Sequence, residues 1–216
     1  MGIRGFWPIV KKHGKHLNNA KYDYVIVDAT MLTINFSMAI CRLRSDLFTV
    51  VMRNTFDSRI KKLRQLLRNP ESDEKLIFVF DPLMKPAEKI RPRDTSVLDE
   101  LPENAFNVFF DLLREGHYTI TQSTDHEADH EMAMAYKQIV SQGNTAAVYT
   151  EDSDLLVLVP EIIRFDFMLY TVMDICHGLG VTKKIFIEAC NTAANDYNTS
   201  SMTFRQAITQ AINQMP

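Results

Sequence analysis

The sequence predicts an α/β fold: a central, mainly parallel sheet with helices flanking it. Two observations carry this expectation. Short β-branched or aromatic runs of strand length alternate with longer stretches of helical spacing, which is how βαβ units read. Three of those runs, at residues 22–28, 76–81 and 146–150, are largely apolar and lead into acids. Strands buried on both faces of a parallel sheet have that composition. In such a sheet ligands bind beyond the carboxyl ends of the strands, so acids there are placed for chemistry.

The elements follow in order. Residues 1–16 are basic, with Arg4, Lys11, Lys12 and Lys15, and Pro8 suits a first helical turn. Residues 22–28 form the first central strand and 29–44 a Met-rich helix. The spacing over 47–68 predicts a helix with Leu47, Val50, Val51, Ile60, Leu63 and Leu67 on one side. Arg59, Lys61, Lys62, Arg64 and Arg68 form its opposite, solvated face. Asn69-Pro70 ends it. After the strand at 76–81, residues 82–102 are rich in Pro, Lys and Arg, and Pro86 and Pro92 restrict them to short helical pieces. An amphipathic helix is expected over 104–115 and a strand over 117–121. Ser123-Thr124-Asp125 offers caps for a helix over 126–141, with Thr124 and Glu127 in capping-box spacing. Strands at 146–150 and 162–165 and helices at 171–178, 183–194 and 204–214 complete the chain.

Composition narrows the function classes. At 216 residues the chain is one domain, or one with a small appendage. The formal net charge of −3 does not by itself mark a nucleic-acid binder, although acids gathered around a metal ion are neutralised by it. The three cysteines, Cys41, Cys176 and Cys190, show no metal-ligand spacing, so a reduced, intracellular chain is expected. No apolar run spans a bilayer, the start lacks a signal-peptide core, and Phe6 stands where a myristoylation motif wants Ser or Thr.

The acids carry the function. In Thr150-Glu151-Asp152-Ser153-Asp154 three carboxylates fall within four residues at a strand end. Carboxylates so gathered suit hard cations such as Mg²⁺ or Mn²⁺. Asp152 and Asp154, with Asp28, Asp81, Glu127, Asp129 and Asp196, form a constellation of seven carboxylates, mostly at strand and helix ends. Glu127 and Asp129 also suit the dipole of a helix N-terminus. His126-Glu127-Ala128-Asp129-His130 matches the His-Glu-x-x-His zinc-peptidase pattern as well, but it has no third ligand downstream and leaves the other aspartates unexplained.

An opening stretch and five acidic motifs, in order, make a more specific match. Met-Gly-Ile-Arg-Gly-Phe (1–6), Val-Asp-Ala-Thr-Met (27–31), Phe-Val-Phe-Asp-Pro (78–82), Glu-Ala-Asp-His-Glu (127–131), Thr-Glu-Asp-Ser-Asp-Leu-Leu (150–156) and Asn-Asp-Tyr-Asn (195–198) resemble the opening and the acidic motifs of the flap endonuclease / xeroderma pigmentosum G-type nucleases. These are a branch of the PIN-like nucleases with some viral members. The resemblance covers residues 1–198 and implies a three-layer PIN-like nuclease domain there, with 199–216 as a short helical tail. It implies a two-metal phosphodiesterase in which Asp28, Asp81, Glu127 and Asp129 hold one Mg²⁺ or Mn²⁺ ion. Asp152, Asp154 and Asp196 lie nearer the second. Gly2 would let backbone approach a phosphate. The implied partner is nucleic acid, DNA or RNA, with any replication or repair protein unidentified and no membrane involved.

Three departures bear on substrate. The segment 82–126 is short for a full helical arch, so residues 82–103 are expected to form a reduced, basic arch. There Lys85, Lys89, Arg91 and Arg93 would contact phosphates, Lys89 first among them. Ile34 stands where the family often has a stacking aromatic, with Phe36 nearby. Residues 199–216 contain no glycine, so the glycine-rich element that grips duplex DNA is not expected in them. A flap or single-stranded DNA substrate is expected. The alternatives are a messenger-RNA-cutting nuclease of the same fold and a non-catalytic PIN-like binding module.

Overall fold

A computed structural model of the chain describes residues 2–17, 19–40, 45–82, 104–123, 127–195 and 198–214. In chain order the elements are helix α1 (Phe6–Val10), a 3₁₀ turn (Lys11–His13), strand β1 (Lys15–His16), β2 (Tyr24–Asp28), α2 (Ala29–Ile40), α3 (Ser45–Arg64), a second 3₁₀ turn (Asp73–Lys75) and β3 (Leu76–Phe80). Then come α4 (Ala105–Glu115), β4 (Thr119–Gln122), α5 (Ala128–Ser141), β5 (Ala146–Tyr149), α6 (Leu155–Leu158), β6 (Glu161–Ile163), β7 (Met168–Thr171), α7 (Val172–Leu179), α8 (Lys183–Thr192) and α9 (Phe204–Asn213). They form two compact units, one from the described residues of 19–150 and the other from those of 2–17 and 151–214.

The first unit is the parallel α/β body that the sequence predicts. Its strands lie in the order β5-β2-β3-β4, and every pairing is parallel. The chain steps one way from β2 through β3 to β4, then returns past β2 to β5. Right-handed crossovers therefore put α2, α3 and α4 on one face and α5 on the other. Phe80 stacks on Phe110 at 4.6 Å, and Phe109 meets Phe36 at 6.0 Å and Phe56 at 5.5 Å between ring centres. Helix α5 packs on β2, β3 and β5. Val25, Ile26 and Val27 are fully buried, as a central strand covered on both faces must be.

The long helix differs from expectation in length and, over its first half, in phase, while Ile60, Leu63 and Leu67 are buried as expected. Leu47 and Val50 are 47% and 55% exposed, and the buried stripe is Phe48, Met52, Phe56, Ile60 and Leu63. The three phenylalanine and methionine positions set the register, because large side chains bury more apolar area than the valines between them. The helix ends at Arg64 rather than near Asn69. Tyr22 and Leu67 then form an isolated parallel bridge. The strand expected over 117–121 begins two residues later, because His117 (φ +55°) belongs to the turn that ends α4.

The second unit holds a small antiparallel sheet, β1 against β7 and β7 against β6. Neither β1 nor β7 was expected. The helix expected to start at Thr171 starts at Val172, with the Thr171 hydroxyl capping it. Phe6, Phe186 and Phe204 form an aromatic core with ring centres 5.0–6.2 Å apart. The N-terminal backbone is laced to the C-terminal segment: Arg4 N–H donates to Ala194 C=O at 2.9 Å, and Phe204 N–H donates to Arg4 C=O at 2.8 Å. Thr203 and Gln206 close a capping box on α9. Among the described residues no helix is long and apolar enough to cross a membrane.

Candidate functional site

In the first unit the predicted acids gather at the carboxyl ends of β2 and β3. Asp28 ends β2 and is 5% exposed. Its Oδ1 accepts from Met31 N–H at 3.0 Å, at the start of α2, and its Oδ2 accepts from the buried Thr150 hydroxyl at 2.8 Å. Asp81 follows β3 directly. Its N–H donates to the Thr30 hydroxyl at 2.8 Å, and its Oδ1 accepts from Ala128 N–H at 3.1 Å. An acid from one strand thus caps the helix that carries the next acids, where a carboxylate also suits the dipole.

That arrangement gives the capping bond to Asp81 and not to the residue at the N-cap position. Glu127 is the N-cap of α5, yet its side chain makes no cap hydrogen bond, and it is only 7% exposed. The expected capping box with Thr124 is replaced by this geometry. Glu127 sits one residue before the helix, and residues 124–126 lie outside the described residues. Asp129 lies in the first turn of α5. The helix begins after Glu127, and His130 is exposed, whereas the zinc-peptidase pattern needs one helix running through both histidines.

In the second unit Asp152 and Asp154 share a tight loop. Asp154 N–H donates to Asp152 Oδ1 at 3.0 Å, and the buried Ser153 hydroxyl accepts from Ile3 N–H at 2.9 Å. Gly2 lies against this loop so closely that a Cβ there would sit 2.1 Å from Ser153 Oγ and 2.9 Å from Asp152 Oδ1. The nearness of Gly2 to the acids is therefore realised, with a side-chain-free backbone filling the gap. Behind the loop, burial and then the Asp154 carboxylate push the Cys190 thiol far above its usual range. Cys176 and Cys190 are both buried and free.

Asp196, Lys85, Lys89, Arg91, Arg93 and His126 lie outside the described residues. Among the described residues, no three His, Cys, Asp or Glu side chains are grouped to hold a metal ion as they stand. Several basic side chains on and just after α3 are committed to structure. Arg64 makes a two-pronged ion pair with Asp73 at 2.5 and 2.6 Å, and Arg53 and Arg68 pair with Glu115 and Asp23. Phe36 is buried against Phe109 and is not placed to stack on a base. Sequence reasoning missed Thr30, Thr150 and Ser153, buried hydroxyls that hold the acids or their neighbours. The signal was available: each lies inside an acidic motif at a strand end, where a hydroxyl without a partner would be costly.

No protein-family profile matches the chain, and no curated protein is similar to it in sequence. Solved structures are similar in fold. The catalytic core of Rad2 in complex with DNA substrate superposes with a TM-score of 0.70 at 23% identity, over 98% of this chain and 66% of that one. The T5 5′-exonuclease with divalent zinc bound gives 0.62 at 18% identity, over 88% and 74%. A bacteriophage T5 flap endonuclease complex with DNA and metal ions gives 0.59 at 16%, over 88% and 74%. The chain thus spans about two thirds of the length of the Rad2 core it matches. Through its parallel sheet, its flanking helices and its acids at the strand ends, this chain has the PIN-like nuclease fold of the Rad2 catalytic core and the T5 5′-exonuclease.

Proposed function

We propose that the chain is a divalent-metal-dependent nuclease that hydrolyses phosphodiester bonds by a two-metal mechanism, on flap or single-stranded DNA. One observation carries the reading. Asp28 and Asp81 are held at the ends of two paired strands by Met31, Thr150, Thr30 and Ala128, Asp81 fixes the start of the helix that follows Glu127, and Asp28 and Glu127 are both buried. Carboxylates withdrawn from water need a compensating charge. The donors are all oxygen, which fits Mg²⁺ or Mn²⁺ rather than a zinc site built on imidazole or thiolate.

Asp28, Asp81, Glu127 and Asp129 would hold one ion, and Asp152, Asp154 and Asp196 the second. Bound cations would activate water and stabilise the leaving oxygen. The protein's own part is positioning. Thr150 and Met31 fix both oxygens of Asp28, Asp81 fixes the start of α5 and with it Glu127 and Asp129, and Gly2 leaves room for the backbone beside Asp152. The deciding experiment offers purified protein, with Mg²⁺ or Mn²⁺, matched flap DNA, single-stranded DNA and single-stranded RNA. Metal-dependent cutting of DNA is expected. Cutting of RNA alone would place the chain with the messenger-RNA nucleases of the fold, and binding without cutting under every metal would make it a non-catalytic module.

The basic segment extends the reading to substrate. Lys85, Lys89, Arg91 and Arg93 follow closely on the strand that delivers Asp81. Each phosphate contact releases condensed counterions, so binding falls with salt. The Lys89→Ala/Arg93→Ala variant is expected to bind all sequences more weakly, with a log–log salt slope shallower by about 1–2. Metal affinity should not change. Titration in Ca²⁺ across a salt series checks it, and an unaltered slope would mean the pair touches no phosphate.

A further inference from the structure

Glu151 opens the acidic loop, and its contacts differ from those of the acids after it. Its Oε2 accepts from Arg164 Nη2 at 2.6 Å and Nε at 3.2 Å, and its Oε1 accepts from Phe165 N–H at 3.0 Å. Its carbonyl oxygen accepts from the indole N–H of Trp7 at 3.2 Å. Both carboxylate oxygens are therefore taken by fixed donors of the protein. Arg164 is itself held. Its guanidinium lies 4.3 Å from the Trp7 ring centre and 5.8 Å from that of Tyr170, and Asp166 lies 3.6 Å away. The Arg164 side chain is 16% exposed. A planar fork lying against two adjoining rings and bonded twice to the Glu151 carboxylate fixes direction as well as distance.

We propose that Glu151 is the positioning residue of the acidic loop and not one of its cation ligands: locked by Arg164, Phe165 and Trp7, it sets the backbone that presents Asp152 and Asp154. The proposal rests on the reading that Asp152 and Asp154 hold a cation. The loop is then fixed at successive points. Trp7 and Arg164 hold residue 151, Asp154 N–H holds the Asp152 carboxylate, and Ile3 N–H holds Ser153. Two ligands pre-set in this way bind a cation without first ordering the chain, and loss of such a support typically weakens metal binding about 10- to 100-fold.

The test uses Glu151→Gln, Arg164→Lys and the double variant, with two readouts apart from turnover. Amide hydrogen exchange over 151–156 without metal reads the loop, and calorimetric titration with Ca²⁺ reads the ligands. Both single variants are expected to speed exchange in the loop and weaken Ca²⁺ binding by about 10- to 100-fold. The double variant should be no worse than either single one, since the two residues act as one unit. Saturating Mg²⁺ should restore most of the cleavage rate. Arg164→Lys removes no carboxylate, so wild-type Ca²⁺ affinity in it would overturn the proposal and leave Glu151 as a ligand. Unchanged exchange in both single variants would also overturn it. Failure of the underlying reading appears separately, as wild-type protein that neither binds Ca²⁺ nor cuts; the proposal would fall with it. Thermal melts of each variant identify any that fail to fold, and Arg164→Lys, which keeps the charge, is the variant chosen to survive.

Discussion

Asp28→Asn is expected to abolish metal-dependent cleavage while the fold stands. The asparagine carbonyl can keep the bond from Met31 N–H, and its amide can face Thr150, whose hydroxyl turns to accept it. Shape and hydrogen bonding survive, and what is lost is one negative charge at a position 5% exposed. Cation stabilisation of a phosphodiester transition state is worth several kcal/mol, so the rate should fall by roughly 10²–10⁴-fold. Without metal the variant should melt at or slightly above the wild-type temperature, because one fewer charge is buried. Single-turnover rates at saturating Mg²⁺ and metal-free melting curves check both halves. Wild-type cleavage would remove Asp28 from the reaction.

Gly2→Ala should be nearly as severe, for a different reason. The added methyl would lie 2.1 Å from Ser153 Oγ, 2.9 Å from Asp152 Oδ1 and 3.1 Å from Ser153 N. Ser153 cannot simply turn away, since it is buried and its hydroxyl holds Ile3 N–H. Either the N-terminal backbone lifts off or the acidic loop moves. Overpacking of this kind costs about 1–3 kcal/mol of stability, and a shift of about 1 Å in a reacting group can cost about 10²-fold in rate. Adding Ser153→Ala should return part of the stability by removing the closest atom, and the paired melts and rates measure this. If Gly2→Ala behaves as wild type in both, the close packing at Gly2 does not govern the loop.

Much of the architecture was legible because burial on both faces leaves a plain mark. The runs ending at Asp28 and Asp81 could hardly be anything but central strands, and parallel pairing brings their ends to one edge. The helix from Ser45 was legible as a helix, but its phase was legible only in the second half, at Ile60 and Leu63. Valine and leucine score as core in any pattern, and only the bulk of Phe48, Met52 and Phe56 decides which face turns inward. Strands β1 and β7 were not legible. Lys15-His16 has no apolar content and pairs with residues far away in sequence, and β7 is the short return strand of a hairpin with β6. At the site the acids were readable from their motifs, but their division of labour was not. That Asp81 caps α5 in place of Glu127, and that Glu151 faces Arg164 rather than a cation, depends on contacts between segments no local pattern connects.

The lacing of Arg4 to Ala194 and Phe204 bears on how the protein is made. Residues 2–7 are made about 200 residues before their backbone partners, Ala194 and Phe204. At about 5–20 residues per second that is a wait of roughly 10–40 s. The parallel body of 19–150 can close in the meantime, whereas the loop holding Asp152 and Asp154 gains its support from Ile3 and Trp7 only after the N-terminal segment docks. A nascent chain is thus without a finished acidic loop until the segment around Ala194–Phe204 has been made, and an affinity tag fused directly ahead of Gly2 would burden the segment that finishes it.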